Sequence, residues 1–150
     1  MNGTKTDSAV QHTLNLTRVF AAPRMAVWRA WTDRDEVAAW MGPPGTVSVI
    51  DEWDFRPGGR YHLVMREADD NPLGGAFVDI VEGEFLAMTW TWEHGVLDGV
   101  EMLVELAFRD VPEGTELTLT HTRLPTDRAR DMHEGGWLGC LAELERHLKG

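Results

Sequence analysis

Apolar and polar residues alternate in several short stretches of this chain, as they do in β-strands that bury one face. Residues 13–20 show the pattern first, and residues 115–123 repeat it with Leu117, Leu119 and His121 on one face. We expect that face to point into the core, because threonines and a glutamate occupy the opposite one. Five further strands are predicted, at residues 46–55, 60–68, 75–82, 84–93 and 99–109.

The links between successive strands are short and rich in turn residues, of which Pro112-Glu113-Gly114 is an example. A parallel pair of strands needs a crossover connection of about a dozen residues or more, so these links favour an antiparallel meander. The inward face of strands 46–55 and 75–82 stays open, because Asp51 and Asp79 interrupt their apolar alternation.

Two short helices are predicted between the first and second strands. Pro23 suits the first turn of a helix that ends near residue 32, because that turn does not use the missing N–H. Asp33 and Glu36 have the spacing of a capping box, which starts a second helix that ends near Met41.

A single long helix is predicted for residues 126–149, with Thr126 or Asp127 as its N-cap. Its apolar face carries His133, Gly136, Trp137 and Cys140 at helical spacing, and this face must lie on the sheet. The order strand, two helices, six strands, helix predicts an α+β fold whose C-terminal helix covers the concave face of an antiparallel sheet. Residues 1–150 are predicted to form one domain, with residues 1–11 as a flexible tail.

Composition and charge exclude several classes of partner. The chain is 43% hydrophobic and 26% charged, which suits one globular domain. Its net charge of −11 repels phosphate groups and anionic lipid headgroups, so we expect no nucleic-acid partner and no membrane insertion. The first residues lack the apolar core of a signal peptide, and the expected location is the cytoplasm.

Metal and cofactor chemistry has little support in the sequence. Cys140 is the only cysteine, which excludes an internal disulfide and a multi-cysteine metal site. The motif HEGGW at residues 133–137 lacks the second histidine that a zinc-binding HExxH helix carries one turn later. We therefore predict no cofactor and no metal.

Seven tryptophans against one tyrosine are the most unusual feature of the composition. Indole rings are large and carry an N–H that needs a partner, so they indicate either a bulky core or a core built around a space. Gly136 favours the second interpretation, because its missing side chain leaves room beside Trp137 on the inner face of the helix. Gly135 and Leu138 point outward, and this outer face is a candidate for a homodimer contact.

Several stretches of the chain carry a family resemblance. They are TRVFAAPRMAVWRAWTD (17–33), VAAWMGPPG (37–45), EWDFRPGGRYHLVM (52–65), LAMTWTWE (86–93), GTELTLTH (114–121) and HEGGW (133–137). In this order they resemble the bacterial AHSA1-like branch, the homologues of the activator of Hsp90 ATPase, of the SRPBCC, START-like or Bet v 1-like helix-grip superfamily. Met41 departs from the pattern, since a second tryptophan is usual at its place.

The resemblance implies a helix-grip fold with an internal cavity between the sheet and the C-terminal helix. Across the superfamily this cavity holds lipids, polyketides, plant metabolites or hormones, and a few branches perform cyclisation or hydrolysis. The eukaryotic protein that names the branch activates the Hsp90 ATPase. A fold alone does not fix a function. An enzyme of the cyclase or hydrolase kind and a protein-interaction or chaperone-regulating role therefore remain alternatives to ligand binding.

We predict that the chain binds a hydrophobic or aromatic small molecule, such as a lipid, a polyketide or a similar metabolite, between sheet and helix. Indoles and flexible methionines would supply contact area, and His121 or His133 would orient the ligand. No catalytic residue is assigned. The predicted ligand contacts are Tyr61, Met65, Met88, Trp90, Met102, His121, Met132, His133, Gly136 and Trp137.

Overall fold

The computed structural model describes residues 12–150. Within them, seven strands form one sheet, and three helices accompany it. In chain order the elements are β1 (His12–Phe20), α1 (Arg24–Thr32), α2 (Arg34–Trp40), β2 (Val47–Trp53), β3 (Arg60–Arg66), β4 (Asp70–Val81), β5 (Phe85–Trp92), β6 (Met102–Val111), β7 (Gly114–Leu124) and α3 (Asp127–Lys149). The predicted flexible tail, residues 1–11, lies outside the described residues.

All neighbouring strands in the sheet are antiparallel, in the order β1-β7-β6-β5-β4-β3-β2. The predicted meander is therefore confirmed for the last six strands, and β1 pairs with β7. Helix α3 packs against β1, β7 and both short helices. The α+β helix-grip fold is confirmed, with the predicted element order and a long C-terminal helix over a curved sheet. No helix among residues 12–150 is long and apolar enough to span a bilayer.

Side-chain caps set the starts of two helices, as predicted. The Asp33 carboxylate accepts hydrogen bonds from the N–H groups of Asp35 (3.0 Å) and Glu36 (3.1 Å). Thr126 starts α3 in the same way, because its hydroxyl accepts from the N–H of Ala129 at 3.0 Å. Each cap satisfies an N–H group that the first helical turn leaves without a backbone partner.

The two strands with an unclear inward face each contain a β-bulge. In β2, Ser48 and Ile50 are buried, and the pairing register shifts between Ile50 and Glu52. In β4 the register shifts between Phe77 and Asp79. A bulge places an extra residue in one strand and thereby disturbs the alternation of its faces. The interrupted patterns around Asp51 and Asp79 are thus a consequence of local geometry.

The starts of β4 and β6 differ most from the prediction, and both matter for the site described below. β6 begins at Met102 rather than at residue 99, which leaves residues 93–101 as a loop. β4 begins at Asp70 rather than at residue 75, because Pro72 pairs with Val64 of β3. The 93–101 loop and the β3–β4 hairpin consequently project from the same end of the sheet.

A group of six aromatic side chains, called the closed aromatic cluster below, packs together in one part of the core. It consists of Trp28, Trp53, Phe55, Tyr61, Phe77 and Phe108. Neighbouring ring centroids lie 5.0 to 6.5 Å apart, and most pairs pack edge to face. Backbone carbonyl groups accept from two of its polar atoms: Trp53 Nε1 donates to Thr32 O (2.9 Å), and the Tyr61 hydroxyl donates to Thr89 O (2.6 Å).

Candidate ligand-binding site

A cleft of about 300 Å³ lies between the N-terminal half of α3, the β3–β4 hairpin and the 93–101 loop. Inward-facing residues of β3 and β5 form its floor, and the loop forms one side. The lining residues are Pro43, Met65, Glu67, Asn71, Trp90, Trp92, His94, Gly95, Val96, Leu97, Met132, His133, Gly136, Trp137 and Cys140.

Three indole rings form an aromatic wall of this cleft. The ring centroid of Trp90 lies 4.9 Å from that of Trp137 and 6.0 Å from that of Trp92, which it meets edge to face. Trp90 and Trp137 are each only 3% exposed, so packing fixes their position. The wall is a preformed apolar surface of the kind that aromatic ligands stack on.

The three glycines of helix α3 have three different surroundings. A Cβ atom added to Gly136 would meet no atom within 4 Å, and the residue lines the cleft. A Cβ at Gly135 would also meet nothing, but this residue is exposed on the outer face. A Cβ at Gly139 would lie 3.1 Å from Pro44 Cδ and 3.4 Å from Pro43. Gly136 thus borders open space in the cleft, whereas Gly139 allows the helix to approach the two prolines.

His133 has both ring nitrogens engaged. Its Nε2 accepts a hydrogen bond from Trp92 Nε1 at 3.0 Å, so the proton lies on Nδ1, which donates to Ala129 O at 2.8 Å. Burial lowers the pKa of His133 below its ordinary value of 6.5. The residue is therefore a neutral imidazole near pH 7, with its tautomer fixed by two partners.

His121 is the neighbour of His133, at a ring-centroid distance of 4.7 Å. Its Nδ1 accepts from Trp137 Nε1 at 3.0 Å, which places the proton on Nε2. Burial, with a smaller contribution from His133, lowers the pKa of His121 to about 3, so this ring is neutral as well. Among the described residues, three buried donors have no hydrogen-bond partner: His121 Nε2, Trp90 Nε1 and Trp31 Nε1.

Polar groups of the cleft concentrate at its mouth. Glu67 and Asn71 belong to the β3–β4 hairpin, and His94 belongs to the 93–101 loop. The Thr46 hydroxyl donates to Glu67 Oε2 at 2.8 Å and so holds this carboxylate in place. A shallow depression adjoins the mouth and shares Asn71, His94 and Gly95 with the cleft, while Asp69 and Asp70 complete its rim.

The family model described as "Activator of Hsp90 ATPase homolog 1-like protein" matches residues 21–149. This chain belongs to the AHSA1 family. The match includes both short helices, six of the seven strands and all of α3, which together surround the cleft. The resemblance noted from the sequence is thereby confirmed.

Two solved structures have the same fold as this chain over almost its whole length. Protein CV1439 from Chromobacterium violaceum is 26% identical with a TM-score of 0.85, over 92% of this chain and 97% of that one. The AHSA1 protein SPO3351 from Silicibacter pomeroyi is also 26% identical, with a TM-score of 0.82, over 92% of this chain and 98% of that one. No curated protein matches the sequence.

Six of the ten predicted ligand contacts line the cleft of this AHSA1-family protein, and four lie elsewhere in the core. Those in the cleft are Met65, Trp90, Met132, His133, Gly136 and Trp137. Met88 and Met102 are buried away from it, Tyr61 belongs to the closed aromatic cluster, and His121 lies behind Trp137. Alternation along a strand tells which side chains face inward, but the cleft occupies only one end of the inner face. Roles in ligand binding remain predictions for all ten.

The remaining lining residues were not among the predicted contacts. Most lie in segments without a periodic signal: the 93–101 loop, the hairpin turn and the proline pair before β2. Trp92 does alternate with Trp90, and this alternation was a usable signal. Cys140 is 5% exposed, and burial raises the pKa of its thiol to about 12, so it is not a thiolate nucleophile.

Metal ligands do not gather in this part of the chain. Within residues 12–150, no three His, Cys, Asp or Glu side chains are arranged so that they could hold an ion. That no metal or cofactor is needed stays a prediction.

Proposed function

We propose that this AHSA1-family protein binds a hydrophobic or aromatic small molecule, such as a lipid, a polyketide or a similar metabolite, in the cleft beside α3. The observation that carries the proposal is the open space of about 300 Å³ bordered by Gly136 and by the indoles of Trp90, Trp92 and Trp137. This volume is at the lower end of the range of about 300–1,000 Å³ typical of ligand pockets. A compact molecule fits it better than a long lipid chain.

The helix sequence supports the same proposal. A glycine inside a helix costs about 1 kcal/mol relative to alanine, and Gly136 has no tight contact that would require it. Any larger side chain there would extend into the cleft. Glycine at this position therefore lowers the stability of the helix but leaves the space in the cleft open.

His133 lines the cleft, but both of its ring nitrogens are engaged within the protein, so it can contact a ligand by packing and is not suited to moving protons. Protonation of its Nε2 would break the hydrogen bond from Trp92, and burial opposes the charged form. A cyclase or hydrolase would need an acid or base that changes its protonation state in the cleft. That alternative, and a role in regulating a chaperone, have no specific support in the described residues.

Native mass spectrometry of freshly purified protein, followed by extraction of any bound compound, tests the proposal. The sharper test compares Gly136→Leu with Gly135→Leu by titration with a naphthalene-based probe followed by tryptophan fluorescence. Both variants add the same side chain at adjacent helical positions where a Cβ meets no atom. Binding should be lost in Gly136→Leu alone. Equal binding by both variants, or no binding by the unmodified protein, would overturn the proposal.

Two expectations about the whole molecule also remain proposals. The cytoplasmic location is compatible with the charge and with the helices described above. A homodimer contact at Leu138 would bury a side chain that is 49% exposed in the single chain. Sedimentation of the unmodified protein and of Leu138→Glu would reveal such a dimer.

A further inference from the structure

Among residues 12–150, only one side chain of the cleft lining carries a fixed charge, and that charge is negative. Glu67 is a carboxylate in its lining, and none of the lining residues found within 12–150 is a lysine or arginine. His133 and, behind the wall, His121 are both neutral, since each ring accepts a hydrogen bond from an indole N–H. An anionic ligand would therefore have to bury its charge without a cationic partner, which is costly.

Acidic groups continue onto the rim. Asp69 and Asp70 border the depression that joins the mouth of the cleft. Arg66 lies 3.8 Å from Asp70 and offsets one of these charges. For Glu67 and Asp69, by contrast, the described part of the chain supplies no ion-pair partner. One oxygen of Glu67 is held by Thr46, and its other oxygen remains available to a ligand.

The walls of the cleft add a second attraction for positive charge. The face of an indole ring carries negative electrostatic potential and attracts a cation within about 6 Å of the ring centre. Trp90, Trp92 and Trp137 all line the cleft together with Glu67. A ligand that combines an aromatic body with a positive group would use both features.

We infer that the cleft selects amphipathic organic cations, which place an apolar or aromatic body against the three indoles and an ammonium group at Glu67 and the acidic rim. This inference rests on the proposed function, because it specifies the class of ligand that the same cleft takes. It excludes fatty acids and other amphiphiles with an anionic head as preferred ligands.

The test uses three probes that share one aromatic body and differ in charge: naphthylmethylammonium, naphthalenemethanol and naphthoate. Isothermal titration calorimetry near pH 7 and at low salt measures the dissociation constant of each. The ammonium probe should bind at least about fivefold more tightly than the alcohol, because a cation gains from both the indoles and the carboxylates. The carboxylate probe should bind most weakly.

Glu67→Gln identifies the source of the preference. Glutamine keeps an oxygen that can accept from Thr46 but removes the charge. In this variant the advantage of the ammonium probe over the alcohol should fall by about threefold or more. Glu113→Gln is the matched control, because this exposed glutamate lies in the β6–β7 turn and leaves the cleft untouched.

The outcomes separate this inference from the proposed function. If no probe binds, the proposed function itself fails. If the alcohol binds and the ammonium probe binds no better, the cleft takes neutral ligands and the cation preference is wrong. If the preference persists in Glu67→Gln, it comes from the indoles or from the net charge, and the assigned role of Glu67 is wrong. If it falls equally in Glu113→Gln, it reflects the net charge of the protein, and the role of Glu67 is wrong as well.

Discussion

The closed aromatic cluster and the aromatic wall of the cleft pack their large rings in different ways. In the closed aromatic cluster, Trp53 and Phe77 meet edge to face at 5.1 Å, and the Trp53 N–H donates to a backbone carbonyl. At the cleft, Trp90 and Trp137 lie equally close, at 4.9 Å, but open space borders them. The number of tryptophans in a core therefore does not decide whether that core is filled.

The polar partners of the rings show the difference more clearly. The indoles of Trp92 and Trp137 donate to imidazole nitrogens rather than to backbone carbonyl groups. A buried donor without a partner lowers stability, and three such donors occur within residues 12–150: Trp90 Nε1, His121 Nε2 and Trp31 Nε1. All three side chains lie next to Trp137, so the unpaired donors concentrate in the core beside the cleft rather than in the closed aromatic cluster.

The largest expected effect comes from emptying the closed aromatic cluster. Phe77 is 1% exposed, and Phe77→Ala should lower the free energy of unfolding by about 3–5 kcal/mol because it leaves a cavity. Urea denaturation measures the loss. Probe binding at the cleft should persist in the folded fraction. A loss below about 1 kcal/mol would mean that this cluster is not the tightly packed region.

Trp137→Phe should have the next largest effect. It keeps an aromatic ring but removes the donor to the buried Nδ1 of His121, which costs about 1–3 kcal/mol when the acceptor stays unpaired. Urea denaturation again provides the value. Trp28→Phe serves as the comparison within the closed cluster, where no hydrogen bond to a histidine is removed. Equal losses in both variants would contradict the special role of the indole–imidazole pair.

The glycines of α3 provide a smaller and more selective contrast. Gly135→Ala should raise the free energy of unfolding by up to about 1 kcal/mol, because its Cβ meets no atom and the helix gains propensity. Gly139→Ala should raise the free energy of unfolding less than Gly135→Ala does, or lower it. The reason is that its Cβ would lie only 3.1 Å from Pro44 Cδ. Thermal melts compare the two variants. An equal gain would show that the prolines yield to the added methyl group.

The smallest effects concern the pH dependence of two histidines. His62, outside the cleft, donates to Asp51 (2.6 Å) and Glu93 (2.9 Å), and these bonds raise its pKa above 6.5. Its contribution to stability is complete below pH 6.5 and is lost as the pH rises through the raised pKa. His121 has a lowered pKa of about 3, so its burial reduces stability as the pH falls from 6.5 toward 3.

Titration of the histidine ring protons by NMR checks the direction of both pKa shifts. The His62 resonance should still show the charged form at pH 6.5, whereas the His121 resonance should stay that of a neutral ring down to pH 5 or below. Replacement of His62 by glutamine should flatten the stability profile on the alkaline side only. A His121 ring that titrates near its ordinary pKa would mean that water reaches the core behind Trp137.

Local signals were sufficient to predict the order of elements and their principal caps. Alternation identified Leu117, Leu119 and His121 as inward, and all three are buried, while the capping box at Asp33 marked the start of α2. The bulges in β2 and β4 were not predictable, because the register of a strand depends on its partner rather than on its own pattern.

The site itself was only partly accessible from the sequence. Helical spacing placed His133 and Trp137 on one face of α3, and both line the cleft. Their hydrogen bonds join residues 41 and 16 positions apart in the chain, which no local pattern encodes. The sequence also did not explain why residue 139 is a glycine. Its close contact with Pro43 and Pro44 is made only in the folded chain, and no local pattern encodes it.

The most direct test of the account compares the indole N–H resonances of both regions in one NMR titration with naphthalenemethanol. All seven tryptophans of the chain report at once. We predict that the resonances of Trp90, Trp92 and Trp137 shift with the added probe while those of Trp28 and Trp53 stay in place. Shifts confined to the closed aromatic cluster, or spread equally over all seven indoles, would contradict the claim that the cleft beside α3 is the ligand-binding site.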